Sequence, residues 1–327
     1  MSGRVAVIGM GGTIAMSPAA TGGVVPALAA ADLLAAVPGL AELGLAITAT
    51  SLRSLPSPSI GFADLLALSA EVRAEIAAGA EGVVITHGTD TIEETAFFLD
   101  LTVPSGVPVV VTGAMRHPTA AGADGPANLY AAIRVATAPG ARGLGCLVVM
   151  SDEVHGARFV RKNHTSSTAA FVSPGFGPLG LLVEGEPRWR PTPRSGFTIA
   201  ARPAVADLRV ALVTVAIGDD GELLRRAGDA FDGIVLAGLG AGHVPIGMVD
   251  LVAGFAARKP VVLASRTGSG SVLRSTYGYP GSERDLLERG LVHAGFLDPA
   301  KARVLLQLLL GDGADTARVA AAFDHFR

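Results

Sequence analysis

Short apolar, β-branched runs occupy residues 5–8, 46–50, 82–86, 108–112 and 146–150, and longer alanine- and leucine-rich stretches with helical spacing lie at 27–36, 62–77, 91–101 and 126–136. Strands that alternate with helices in this way predict a doubly wound, parallel α/β sheet. Thr91 and Glu94 stand at the start of the third helical stretch in the T-x-x-E spacing of a capping box. The rhythm breaks between residues 185 and 203, where Pro187, Pro191, Pro193 and Pro203 cluster with Arg188, Arg190 and Arg194, a composition that reads as a linker with some turn structure. It then restarts, with strand-like runs at 210–215, 233–236 and 261–264 and helical patterns at 221–230, 249–258, 284–288 and 301–310. The expectation is a two-domain α/β protein: a larger N-terminal doubly wound sheet over 1–186, a linker over 187–208 and a smaller C-terminal parallel α/β domain over 209–327. No internal repeat interrupts this order.

The chain of 327 residues is about twice the usual domain length, which agrees with two units. Half of it is hydrophobic and only 17% charged, enough for buried cores and far from the composition of disorder. A net charge of −3 without any Lys/Arg run gives no footprint for nucleic acid. No window approaches a membrane span. The opening residues Met1 to Arg4 lead into a strand rather than the apolar stretch of a secretory leader, so a cytoplasmic protein is expected. The single cysteine, Cys146, falls in an apolar run and reads as a core thiol.

Candidate chemistry collects where strands meet helices. The segment Thr86-His87-Gly88-Thr89-Asp90-Thr91 packs three hydroxyls and a carboxylate into one strand-to-helix turn. In a parallel sheet that turn lies at the carboxyl edge, where ligands bind and where N–H groups of the new helix face an anion. Hydroxyls are weak nucleophiles until a base stands beside them. The first strand ends in Gly9-Met10-Gly11-Gly12-Thr13-Ile14-Ala15, whose glycines permit tight turns and whose only side-chain hydroxyl is Thr13. Its G-x-G spacing invites a dinucleotide reading, but Ile14 stands where the third glycine belongs and Ser17-Pro18 and Thr21-Gly22-Gly23 read as a loop, so a flap is expected instead. A third segment follows the strand at 146–150 and carries Lys162 among Arg161, Asn163, His164 and Thr165. A lysine there is either a solvated surface charge or, if desolvated, a base of lowered pKa, and the residues alone leave both open.

Taken together, these segments resemble the bacterial-type L-asparaginase/glutaminase family. The likeness is carried by Gly11-Gly12-Thr13-Ile14-Ala15, by Thr86 to Thr95, by Thr112-Gly113-Ala114-Met115-Arg116, by Asp124-Gly125-Pro126 and Asn128-Leu129-Tyr130, by Lys162, by Gly177-Pro178-Leu179-Gly180 and by the run from Lys301 to Leu306. The resemblance implies an amidohydrolase that converts L-asparagine and water to L-aspartate and ammonia without metal or organic cofactor. It implies Thr13 as a nucleophile forming an acyl-enzyme, and Thr89, Asp90 and Lys162 as a second triad in which Lys162 is the base; which threonine attacks first stays open. Backbone N–H groups near Thr89 and Ala114 would meet the oxyanion, Asp90 the substrate ammonium and Ser54 its carboxylate, with Gly88 among the substrate-binding residues. The implied assembly is a homotetramer of two close dimers, each site lying between one chain's N-terminal domain and its partner's C-terminal domain.

The chain departs from that pattern in three places. Met10 stands where the family often has a threonine, and reads as packing. Gly23 stands where the flap usually carries a tyrosine, leaving activation of Thr13 to Thr21, to Lys162 or to a tyrosine of another chain. In the C-terminal domain the family's Asn and Glu find no obvious match, and His243 and Tyr277, with Tyr279 beside it, are the candidates that reach a partner's site. The alternatives are therefore a related amidase acting on L-glutamine, D-asparagine or another amide, or a non-catalytic amino-acid sensor. Among the remaining polar residues, Asp124 and Asn128 read as loop bridges or caps, His87 as a turn-fixing group and Trp189 as a packing anchor. The other histidines lack metal-type spacing, and neither a phosphate loop nor a G-x-S-x-G elbow is present.

Overall fold

The β-branched runs pair edge to edge because each leaves its backbone N–H and C=O groups without water, and a sheet satisfies them all. The computed structural model describes residues 3–18, 23–26, 28–191 and 196–327. In the first part of the chain lie strands β1 (Arg4–Gly11), β2 (Met16–Pro18), β3 (Val24–Pro26), β4 (Ala46–Leu55), β5 (Gly82–Thr86), β6 (Val109–Thr112), β7 (Cys146–Met150), β8 (Glu153–Gly156), β9 (Arg161–Lys162), β10 (Phe171–Val172), β11 (Gly180–Val183) and β12 (Glu186–Trp189). Eight of them form one sheet in the order β12-β11-β8-β7-β6-β5-β1-β4. From β4 to β7 the pairs are parallel, whereas β7–β8, β8–β11 and β11–β12 are antiparallel. The sheet is therefore mixed, a feature absent from the strand-helix rhythm of the sequence. Pro187, one of the prolines that suggested a break, lies on the edge strand β12, where a missing N–H costs no ladder bond.

Helices α1 (Ala30–Ala35), α2 (Phe62–Ala77), α3 (Ile92–Thr102) and α4 (Gly125–Thr137) cover both faces. Side chains alternate across each strand. Val83, Ile85, Val109 and Val111 pack with Leu68 and Val72 of α2 and Ile92 and Leu99 of α3. Their neighbours Val84 and Val110 pack with Leu33 of α1 and Leu129 and Ile133 of α4. Met10 is fully buried and packs in the first of these layers. The register places Gly9 beside Thr86 and Thr86 beside Thr112, so the loops leaving β1, β5 and β6 emerge side by side at the carboxyl edge.

The chain divides into two compact units, Met1–Thr198 and Ile199–Arg327. The second has a parallel sheet of β13 (Val210–Thr214), β14 (Gly233–Gly238), β15 (Val261–Ser265) and β16 (Val292–His293) in that order. Around it lie α5 (Glu222–Ala227), α6 (Val249–Ala256), α7 (Glu283–Glu288), α8 (Pro299–Gly311) and α9 (Thr316–Phe323). Its core joins Ile234, Leu236 and Leu263 to Val252, Phe255 and Leu286. Strand β16, only two residues long, and helix α9 extend the expected pattern; α9 starts at an aspartate cap, Asp315, which accepts the Arg318 N–H at 2.8 Å. No helix among the described residues is long and apolar enough to cross a membrane.

Candidate active site

Two glycine-bearing loops touch backbone to backbone at the carboxyl edge. Gly11 and Gly12 have φ of 95° and 85°, and a Cβ on Gly12 would lie 2.2 Å from the Gly88 backbone. Only glycine combines that conformation with that approach. The Gly12 N–H donates to Leu55 O at 3.2 Å, and Thr13 opens the short 3-10 turn Thr13–Ala15. Thr13 and Thr89 are each the next residue after a member of the touching pair Gly12 and Gly88.

The loop after β5 is held from three sides. His87 is fully buried; its Nδ1–H donates to Gly88 O at 2.7 Å, and Thr95 Oγ1–H donates to its Nε2 at 3.1 Å. Burial pushes its pKa down to about 4, against the smaller opposing effect of the Gly88 carbonyl, so the ring is neutral and serves the turn geometry. Ser57, buried at the foot of α2, receives the Asp90 N–H on its Oγ at 3.3 Å, and its carbonyl receives the Thr91 hydroxyl at 3.2 Å. Thr91 thus points away from the helix it precedes and makes no side-chain cap, which corrects the capping-box expectation. Ser57 carried no signal in the sequence because its partners lie more than thirty residues away. Ser54 is exposed on β4, and its own backbone passes close to Gly11.

Ala114, fully buried, belongs to the third loop, after β6. Asp124 accepts the N–H groups of Met115 and Arg116 at 3.0 and 2.9 Å. Asn128 Nδ2 donates to Gly113 O and to Asp124 Oδ2 at 3.0 and 3.1 Å, and its Oδ1 accepts the Ser151 N–H at 3.0 Å. The pair is a loop bridge that fixes the Ala114 backbone.

Lys162 comes from the short ladder of β9 with β10, where it pairs with Phe171. Its Nζ donates to Thr89 Oγ1 at 2.9 Å and to Asp90 Oδ1 at 2.6 Å. The lysine side chain is only 14% exposed while that of Asp90 is 58% exposed, so the carboxylate still faces an open cavity of about 410 Å³ lined by Asp90, Glu93, Lys162, Asn163, His164 and Thr165. His164 turns back to its own loop and accepts the N–H groups of Ser166 and Ser167. Among the described residues the Thr13 hydroxyl makes no hydrogen bond, and no cluster of His, Cys, Asp and Glu gathers as a metal site. Gly23 has φ of 76°, and among the described residues nothing lies within 4 Å of where its Cβ would be; Thr21 lies outside the described residues.

In the second unit, His243 and Tyr277 meet at a ring-centroid distance of 5.0 Å, edge to face. The sequence reading lacked the carboxylate that organises them. Glu283, fully buried at the start of α7, accepts the N–H groups of Thr276 and Tyr277 at 2.9 Å each and pairs with His243 Nε2 at 3.1 Å. Burial works to raise its pKa, but the backbone donors and His243 hold it below the usual glutamate range. Tyr279 Oη lies 2.9 Å from His243 Nδ1.

Known proteins match this chain over nearly its whole length. Residues 4–195 match the family profile described as Asparaginase, N-terminal, and residues 209–323 match that of the Glutaminase/Asparaginase C-terminal domain. A probable L-asparaginase of Deinococcus radiodurans is 41% identical, over 98% of this chain and 97% of that protein. An L-asparaginase of Bacillus licheniformis is 35% identical over 95% of this chain and 96% of its own. The crystal structure of the probable cytoplasmic L-asparaginase of Campylobacter jejuni superposes with a TM-score of 0.87 at 33% identity, covering 98% of this chain and 99% of that one.

Proposed function

Because this chain belongs to the asparaginase family, we propose that Thr13 together with Thr89, Lys162 and Asp90 carries out its reaction, hydrolysis of the side-chain amide of L-asparagine to L-aspartate and ammonia. The observation that carries the assignment is Lys162 Nζ, 2.9 Å from Thr89 Oγ1 and 2.6 Å from Asp90 Oδ1. A threonine hydroxyl needs a base within hydrogen-bond reach, and a lysine base needs a carboxylate to orient it. In this reading Thr13 attacks the amide carbon, ammonia leaves an acyl-enzyme, and water directed by Thr89 and Lys162 releases L-aspartate. Asp90, open to the cavity, pairs with the substrate ammonium. N–H groups at Thr89 and Ala114, the latter fixed by Asp124 and Asn128, receive the oxyanion, donors worth about 3 kcal/mol each. Of the two serines available to the substrate carboxylate, Ser57 is the one bonded to the Asp90 loop. Ser57→Ala is expected to raise KM about tenfold and Ser54→Ala to leave it unchanged; the reverse result returns the role to Ser54.

The working assembly is read as a homotetramer of two close dimers, with each site made by the N-terminal domain (1–186) of one copy and the C-terminal domain (209–327) of its partner, residues 187–208 joining the two within each chain. The resemblance supports that assembly. A cytoplasmic location is supported by the solved relative, itself a probable cytoplasmic enzyme. The deciding experiment is ammonia release from L-asparagine, with L-glutamine and D-asparagine alongside. Release from L-asparagine that disappears in a folded Thr89→Val variant supports the assignment. Release that stays near wild type in that variant removes Thr89 from the mechanism, and faster release from either other amide moves the preferred substrate.

A further inference from the structure

Among the described residues of its own unit, no group accepts the Thr13 proton. Its hydroxyl makes no hydrogen bond among the described residues, Lys162 is committed to Thr89 and Asp90, and Gly23 brings no side chain to the flap position where a phenol is expected. The second unit holds a phenol with a proton path built behind it. Glu283 is buried and ionised by its two backbone donors, so His243 turns Nε2–H towards it. That choice of tautomer leaves Nδ1 with the lone pair, and Tyr279 Oη–H donates to it at 2.9 Å.

Backbone bonds fix the parts. His243 exchanges two hydrogen bonds with Leu239, Val244 N–H donates to Gly281 O, and Ser282 N–H donates to Tyr279 O. A Cβ on Gly281 would meet Val244 O at 2.4 Å, so the two loops close on each other as the Thr13 and Thr89 loops do. Yet Tyr277 and Tyr279 remain 42% and 47% exposed, more than residues that only brace a core would be. A buried carboxylate orienting an imidazole that accepts from an exposed hydroxyl is the arrangement by which hydroxyl protons are moved in hydrolases.

We propose that Tyr279, backed by His243 and Glu283, is the acid–base hydroxyl that serves Thr13 of a second copy of this chain. The assignment rests on the L-asparagine reading above and on sites completed across copies. As Thr13 Oγ bonds to the amide carbon and the carbonyl electron pair moves onto oxygen, the Thr13 proton passes to Tyr279 Oη while the Tyr279 proton passes to His243 Nδ1. The imidazolium formed is held by Glu283. When the tetrahedral centre collapses and the C–N bond breaks, the proton returns through Tyr279 to the amide nitrogen, which leaves as ammonia. Water then adds to the acyl carbon, its proton takes the same path, and it is delivered to Thr13 Oγ as that C–O bond breaks. Tyr277, packed edge-on against His243, is a positioning residue for the ring.

Tyr279→Phe removes one hydroxyl from an exposed ring. In the full-length protein it is expected to lower kcat on L-asparagine about 100-fold or more with KM within about threefold, the scale of general acid–base catalysis. The loss is expected to shrink on L-aspartate β-hydroxamate, whose less basic leaving group needs its proton less; a bracing role would slow both substrates alike. Co-expression of Tyr279→Phe chains with Thr89→Val chains is expected to give activity well above that of either variant alone, because some sites then join an intact Thr89 to an intact Tyr279. If circular dichroism shows that Tyr279→Phe has lost its fold, His243→Gln interrupts the same path. A Tyr279→Phe enzyme with kcat within threefold of wild type, or mixed chains without recovery, overturns the proposal. A wild-type protein that releases no ammonia from L-asparagine overturns the substrate reading instead.

Discussion

At the scale of single residues, the site depends on a histidine that stays neutral. His87 titrates at about 4 rather than 6.5 because burial disfavours its charged form. The unfolded chain therefore binds a proton between those values that the folded chain refuses, so stability falls as pH drops from 6.5 towards 4, by about 3 kcal/mol for a shift of this size. His155, pushed by burial to about 4, acts in the same direction. Asp100, raised by burial to about 6, acts oppositely and gains stability as pH falls. Urea unfolding of wild type and His87→Gln at pH 7 and 4.5 separates these, since the other two groups cancel in the difference. The wild type is expected to lose about 2–3 kcal/mol more than the variant over that interval, and parallel losses would show an exposed, ordinary imidazole. The turn-fixing role of His87 was legible in the sequence because the residue sits inside a strand-to-helix turn. Ser57 and Glu283 were not, since each acts on backbone groups that only the fold brings near.

The elements matter through their ends. Strands β5 and β7 and helix α2 occupy the residues that the hydrophobic pattern marks, because each is a single apolar run with clear polar limits. The antiparallel extension β8–β11–β12 was invisible to that pattern: its strands are short, partly exposed and defined by partners rather than by periodicity. At the other end of the legible strands, Gly12 lets the β1 and β5 loops touch. Gly12→Ala is expected to abolish ammonia release, more than 100-fold, because the new Cβ falls inside the Gly88 backbone and forces the threonines apart; a variant within tenfold of wild type would mean that the loops can part without cost. Asn128→Ala tests the third loop. It removes one amide that satisfies Gly113 O and the Ser151 N–H, and buried groups left without partners cost about 1–3 kcal/mol each. A fall of about 2–4 kcal/mol in unfolding free energy, with a drop in kcat larger than any rise in KM, is the expected pattern. A stability loss with kcat intact would detach Ala114 from the oxyanion.

For the whole molecule, the surface of the second unit bears on how many copies work together. Ile217 is 98% exposed, Ile246 70% and Leu223 69%, and Tyr277 and Tyr279 add half-exposed rings. Scattered apolar residues need no cover, but large ones exposed to this degree on one unit are the usual material of an interface between chains. If each site needs residues from two copies, activity and mass must fall together on dilution, because a separated chain keeps Thr13, Thr89 and Lys162 but loses its partner's phenol. Light scattering is expected to give four times the chain mass of 33.0 kDa at micromolar concentration. Specific activity is expected to stay constant until the close dimer dissociates and then to fall with it. Ile246→Asp, placed outside the proposed relay, is expected to move both transitions to higher concentration by the same factor. Full activity in a monomeric sample would place every catalytic group within one chain, and the acceptor for the Thr13 proton would then have to be sought in its own unit.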